Sequence, residues 1–297
     1  MSKQFYVARN FAPASLELIS TMETIIEDYV AQGYRLTVRQ LYYQLVARAV
    51  VENTERSYKR VTGLVNDAKL AGLLDWEAIE DRTREFIRRT RWDSAAQIVR
   101  ASADSFHMDH WQGQRERVFV IVEKEALAGV LQRASHDYDV PLLAARGYPS
   151  GTVLREFCVA DIMGAMNEGQ NVTILHLGDH DPSGVDMTRD LRERVALFSE
   201  KLVSLVRIAL TMPQIKKQKP PPNPAKTSDS RFDSYKMLFG TESWELDALK
   251  PDFLDNLVRK HINEHIDPSI WKARHEEIED IRQRLTAAAD TFEEGEV

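Results

Sequence analysis

The chain of 297 residues has a single cysteine, Cys158. It can form no internal disulfide, which fits a reducing compartment such as the cytosol. Phe157 and Val159 flank it, so the thiol is expected to be buried and inert. Long apolar runs are also missing. Stretches such as Val118–Val122 fall far short of the ~18 residues that a membrane span requires, so no membrane partner is expected. The segment Met1–Phe5 lacks the apolar core of a signal peptide. Internal repeats are absent. Net positive charge is absent too, the formal charge being −7. On totals this speaks weakly against a polyanionic partner, although the distribution of charge matters more than its sum.

Hydrophobic residues make up 43% and charged residues 29% of the chain, so an ordinary globular core is expected. The length suits about two domains. Basic residues are concentrated. Arg82, Arg84, Arg88, Arg89 and Arg91 fall within ten positions, and residues 216–219 read Lys-Lys-Gln-Lys. From Glu276 onward the chain is acidic. A charge run taken alone reads as solvated surface. A stripe of arginines is also what a phosphate backbone attracts, giving affinity and salt dependence without sequence choice.

The chain divides near residues 92–116. Leu18, Met22, Ile25, Ile26 and Tyr29 recur at helical spacing, and Gly33 closes that helix. Thr37 and Gln40 match a capping box that opens a second helix running through Ala49. Asn53-Thr54 opens a third, with Tyr58, Val61, Val65 and Ala68 on one face and Gly72 at its end. Leu73–Trp76 is expected to be a short strand or wing. Three short helices with a small β element suit a winged-helix domain over 1–95, joined by a linker over 96–116 to a second domain over 117–297.

In the second domain strands and helices alternate. Val118–Val122, Val140–Ala144, Val172–Leu177 and Val206–Leu210 read as strands. Lys124–Ser135, Ser150–Asn167 and Pro182 to about Val203 read as helices. This alternation implies an α/β fold with a parallel sheet flanked by helices. Residues 213–230, rich in proline, are expected to form a loop. From Trp244 the chain looks helical, with Phe253, Leu254, Leu257, Val258 and Ile262 as its apolar stripe.

Ligand sites of open parallel sheets lie at the carboxyl ends of strands. Glu123 directly follows the first strand there. Asp179 follows the third after Gly178, and Asp181 lies two residues on. Carboxylate oxygens favour hard cations, and magnesium commonly takes one or two of them while keeping waters for a phosphate. Without a cation their like charges repel. Either aspartate by itself could simply cap the following helix. His176 reads as a packed strand residue and His180 as a possible phosphate contact. No spaced ligand set completes a zinc site around them.

Val122-Glu123-Lys124-Glu125-Ala126, Gly147-Tyr148-Pro149-Ser150 and Asp179-His180-Asp181-Pro182-Ser183-Gly184 occur in the order and spacing of one family. They resemble the Toprim domain of the topoisomerase VI A subunit and its meiotic break-forming relatives. The resemblance covers most of residues 35–190. It implies that Glu123, Asp179 and Asp181 bind Mg2+ and that double-stranded DNA is the substrate. It also bears on Tyr43. Periodicity puts Val38, Leu41, Tyr42, Leu45 and Ala49 on the core face of the second helix, with Tyr43 outward beside Arg39, where it would ordinarily be a rim residue. The family carries its nucleophile in an Arg-x-x-aromatic-Tyr setting that Arg39 and Tyr43 match. The resemblance therefore implies a Tyr43 phosphotyrosyl ester on the 5′ end, formed with Arg39 assisting.

In that family two subunits cooperate, the tyrosine of one working with the metal of the other, so a homodimer is implied. The chain is shorter than a standard A subunit and is similar to the short stand-alone relatives of mobile elements. No ATPase module of the B-subunit type is present, and complete strand passage would call for such a partner. A cytoplasmic, nucleoid-associated protein is expected. Lys124, Arg146 and Arg155 lie near the strand ends and are candidate phosphate contacts. Glu245 and Asp247 either face the site or cap a helix, the structural role being slightly favoured. Two other readings stay open: a metal-dependent nuclease that uses water, and a DNA-binding protein inactive without a partner.

Overall fold

The computed structural model describes residues 3–80 and 91–294. Three helices open the chain: α1 (Pro13–Ala31), α2 (Val38–Ala47) and α3 (Glu55–Leu70). Each begins where local chemistry permits. Pro13 sits in the first turn of α1, where its missing N–H costs nothing. Thr37 and Gln40 form the expected reciprocal capping box on α2. The Thr54 side chain accepts from Ser57 N at 3.1 Å to cap α3. The helices share a core built from Leu18, Met22, Ile25, Leu41, Leu45, Val61 and Val65.

Leu73–Trp76 is neither strand nor wing. Asp75 Oδ1 accepts from Glu77 N at 2.8 Å, and the chain bends there while Leu74 inserts into the core. The polar turn former breaks the strand that the apolar pair suggested. Isolated bridges, Phe5 to Ala71 and Leu36 to Ile79, are the β pairing of this region among the described residues.

The first half of the segment expected to be a linker is helical. Ser94 caps α4 (Ala95–Ser105), which packs along the last helix of the chain. The sheet domain then runs β1 (Glu116–Val122), a 3-10 turn (Glu125–Leu127), α5 (Ala128–Asp137), β2 (Leu142–Ala144), α6 (Gly151–Phe157), a π turn (Cys158–Ile162), α7 (Met163–Asn167), β3 (Asn171–Leu177), α8 (Pro182–Ser199) and β4 (Ser204–Ala209). All four strands are parallel, in the order β2-β1-β3-β4. Side chains alternate along β1. Val118, Val120 and Val122 enter one core with residues of α5 and the C-terminal region, while Phe119 and Ile121 enter the other with residues of α6 and α8. Burial of both faces explains why β1 is apolar throughout. Cys158 lies in the second core, and burial pushes its thiol up to about 11.

Residues 213–230 are more structured than their prolines suggested. Thr211 and Gln214 form a capping box on α9 (Met212–Gln218). Two-residue strands β5 (Asn223–Pro224) and β6 (Glu242–Ser243) pair antiparallel around α10 (Phe232–Phe239). A 3-10 turn (Leu246–Ala248), α11 (Pro251–Asn263) and α12 (Pro268–Glu294) complete the chain. Leu254, Val258 and Ile262 of α11 are buried, with Phe253 and Leu257 packed beside them. No helix among the described residues is long and apolar enough to cross a membrane.

Candidate active site

The carboxyl ends of β1 and β3 are neighbours in the sheet, which brings Glu123 beside Asp179. Glu123 Oε2 accepts from Asp179 N at 2.9 Å. Asp179 is buried. Its Oδ1 accepts from Leu246 N at 2.7 Å, and its Oδ2 lies 3.0 Å from Lys124 Nζ. Asp181 caps α8, its Oδ1 accepting from Gly184 N at 2.6 Å and from Ser183 Oγ at 3.0 Å. Gly184 is fixed by this crowding, because a Cβ there would stand 2.3 Å from Asp179 O.

Burial raises the pKa of both inner carboxyls. Asp179 is pushed up to about 7 by desolvation, against the pull of Lys124, and Glu123 is raised by desolvation with Asp181 adding to it. Glu245 goes the other way. Burial would raise it, but Lys124 and Arg39 outweigh burial and hold it at about 2.

Glu245 and Asp247 face this cluster. Lys124 Nζ hydrogen-bonds Glu245 and lies 3.1 Å from Asp247 Oδ1. Arg39 also hydrogen-bonds Glu245, and its Nε stands 2.9 Å from the fully buried Asp247 Oδ2 without making a hydrogen bond to it. Lys124, expected at a phosphate, is thus held among carboxylates, and their charges raise its pKa although burial opposes this.

Tyr43 is not presented outward. It is only 5% exposed, because the segment carrying Leu246–Ala248 covers the second side of α2. One-faced amphipathic reasoning fails where a helix is covered twice. Arg39 does lie beside it, its guanidinium 5.9 Å from the ring centroid. Burial, then Glu245 and Asp247, raise the phenol pKa.

Arg39, Tyr43, Lys124, Asp179, Asp181 and Glu245 line one open cavity of about 780 Å3, with Asn53, Asn223 and Lys226 among its other walls. The helical domain and the sheet domain of a single chain therefore meet at one site.

The remaining predicted contacts are scattered. Arg146 is exposed and paired with Glu125, Arg155 is exposed on α6, and Arg91 is exposed ahead of α4. Arg82, Arg84, Arg88 and Arg89 lie outside the described residues. His180 is buried, bonded to the Tyr235 hydroxyl at 2.9 Å beside Phe239 and Trp244, and burial lowers it to about 4, so it offers nothing to a phosphate. His176 is packed as expected, with Nδ1 3.0 Å from Thr188 Oγ1.

Arg207 was missed. It donates to the carbonyls of Gly178 (2.9 Å), Asp179 (2.5 Å) and Gly184 (2.7 Å), bracing the loop that carries both aspartates. A lone charge inside the apolar run Leu205–Leu210 was the available signal.

Glu123, Asp179 and Asp181 do not converge as three ligands. Among the described residues, the group of three His, Cys, Asp or Glu ligand atoms within 4.8 Å of one another is His107, His110 and Asp139. The donor set at the cavity still fits a hard divalent ion. The five carboxyl groups of Glu123, Asp179, Asp181, Glu245 and Asp247 outnumber the three cations Arg39, Lys124 and Arg207, and the raised pKa of Asp179 and Glu123 is the cost of holding them together without an ion. An ion at Asp179 Oδ2 must displace Lys124 from it. No protein-family model matches this chain, and no curated protein does so either.

Proposed function

We propose that this chain cleaves the DNA backbone at the cavity between its helical domain, read as winged-helix, and its sheet domain, read as Toprim. The observation that carries this reading is Tyr43, a nucleophile type, sharing one cavity with the carboxyl groups of Asp179, Asp181 and Glu245. Magnesium would be held by Asp179 and Asp181, with Glu123 behind them. When bound it supplies charge that stabilises the phosphate in the transition state.

The protein's own groups do the rest. Arg39 and Lys124 bind and orient the phosphate once their acidic partners turn to the metal. Tyr43 Oη forms the bond to phosphorus while the bond to the 3′ oxygen breaks. The phenol gives up a proton and the 3′ oxygen takes one up, leaving a 5′ phosphotyrosyl ester.

A second reading, hydrolysis by water at the same carboxylates, is favoured by the burial of Tyr43 and the raised pKa of its hydroxyl. Supercoiled plasmid incubated with the protein and magnesium, stopped with detergent and split with and without protease, separates the two. Breaks with covalently attached protein that vanish in Tyr43→Phe support the transesterase. Free-ended breaks that persist in Tyr43→Phe but vanish in Asp179→Ala overturn it in favour of hydrolysis. DNA binding with no breaks would make the chain a component that needs a partner.

A further inference from the structure

We infer that His107, His110 and Asp139 form a second metal site, separate from the acidic cavity and suited to a zinc-class transition ion. The three residues come from two segments. His107 and His110 lie on the loop leaving α4, and Asp139 follows the end of α5 in a left-handed conformation (φ 49°). Asp139 Oδ1 stands 2.9 Å from His107 Nε2, and Oδ2 accepts from the His110 backbone N–H at 2.9 Å. The carboxylate is therefore aimed at both histidines before any ion arrives.

His110 supplies the decisive detail. It is 8% exposed, and its Nδ1 has no hydrogen-bond partner. That nitrogen lies 3.8 Å from Asp139 Oδ2, too far for a hydrogen bond. A simple hydrogen-bonded cluster would explain His107 and Asp139 but would leave this buried atom unsatisfied.

Ligand atoms at ~2.0–2.2 Å from a tetrahedral ion lie ~3.3–3.6 Å apart. These three already lie within 4.8 Å of one another, so a small side-chain rotation closes the set. Two imidazoles with one carboxylate select zinc and its neighbours over magnesium, which prefers all-oxygen sites. The ring of His275, 6.2 Å from that of His110, is the adjacent group on α12. Trp271, also on α12, stacks on His110 at 4.8 Å. Zinc here would pin the loop after α4 to the end of α5 beneath α12, holding the inter-domain segment to the sheet domain.

The test is calorimetric titration of the chelator-treated full chain with Zn2+ in excess Mg2+, which keeps the oxygen-rich cavity occupied. Wild type should bind one equivalent and show a raised Tm. Asp139→Asn tolerates the left-handed backbone and can still accept from the His110 N–H, yet it loses the anionic ligand. His107→Ala removes a side chain that is 43% exposed, so folding should survive. Either change should weaken zinc by at least the ~10–100-fold that loss of an outer-shell partner costs. Cobalt substituted for zinc should give absorption bands that both variants abolish. Absence of saturable zinc binding by wild type, or binding unchanged in both variants, overturns the inference.

Discussion

Lys124 carries one charge and stands against three carboxylates, Asp179, Glu245 and Asp247. Removing one partner from a buried cluster of this kind typically costs ~3–5 kcal/mol, because the others are left uncompensated. Lys124→Met should lower stability by about that much in a chelator, and Mg2+ should restore much of it by taking over the ammonium's place. Urea unfolding with and without Mg2+ checks this; equal gains from Mg2+ in variant and wild type would show that no ion enters beside Lys124. The same cluster sets a pH dependence. Asp179 titrates at about 7 in the fold and at ~3.9 when unfolded. The folded chain binds that proton more tightly, so stability is full below about pH 4 and falls as pH rises to 7. Glu245, held at about 2, works in the opposite sense: its contribution is complete above ~4.3 and is lost as pH falls toward 2. Metal-free protein should therefore be most stable near pH 4–5 as far as these two groups decide it. Asp179→Asn should flatten the decline toward neutrality, and a Tm series across pH in a chelator measures both arms.

Helices α2 and α8 place the site's chemistry, and both are set by their first turns. Asp181 caps α8 through Gly184 N, and Gly184 has no room for a side chain beside Asp179 O. Gly184→Ala should destabilise the protein by roughly 1–3 kcal/mol, as overpacking does, and displace the loop that holds Asp179. Gly63, within α3, has nothing within 4 Å of an added Cβ, so Gly63→Ala should stabilise by roughly 0.5–1 kcal/mol. Opposite signs in urea unfolding are the expected result, and a neutral Gly184→Ala would remove the close approach from the account. Such local features were legible in the sequence. Capping boxes at Thr37, the apolar run of β1 and the Gly178-Asp179 strand end depend on neighbours a few residues away. The second covering of α2 was not legible, because Leu246–Ala248 lies some two hundred positions downstream. For the same reason Tyr43 read as facing outward and Lys124 as a phosphate contact. Residues 213–230 misled differently: their prolines suggested loop throughout, while the Thr211 and Gln214 cap that starts α9 lies at the edge of that stretch.

At the scale of the molecule, one short segment packs into both domains, which also touch where Asn53 donates to Asn223 at 2.7 Å and where Arg133 lies over the Tyr34 ring. Ala248 sits in the core of the helical domain, while Leu246 and Leu249 sit in a core of the sheet domain. Glu245 and Asp247, on the same segment, pair with Arg39 of one domain and Lys124 of the other. Tyr43 therefore reaches the cavity of its own chain, whereas the resemblance of the sequence to two-subunit break-forming enzymes implies a tyrosine working with a partner's metal. Mixed samples distinguish the arrangements. Tyr43→Phe keeps its carboxylates and Asp179→Ala keeps its tyrosine, so each alone should form no covalent complex with DNA. If the site is completed within one chain, co-expressing the two leaves every site defective and the mixture stays inactive, which is the outcome this geometry leads us to expect. If the site is completed across a dimer, each mixed dimer regains one intact site and produces single-strand nicks with attached protein. Recovery of such nicks would mean that the contacts of Arg39 and Lys124 with Glu245 and Asp247 belong to a resting state, which must open before the tyrosine is exchanged between subunits.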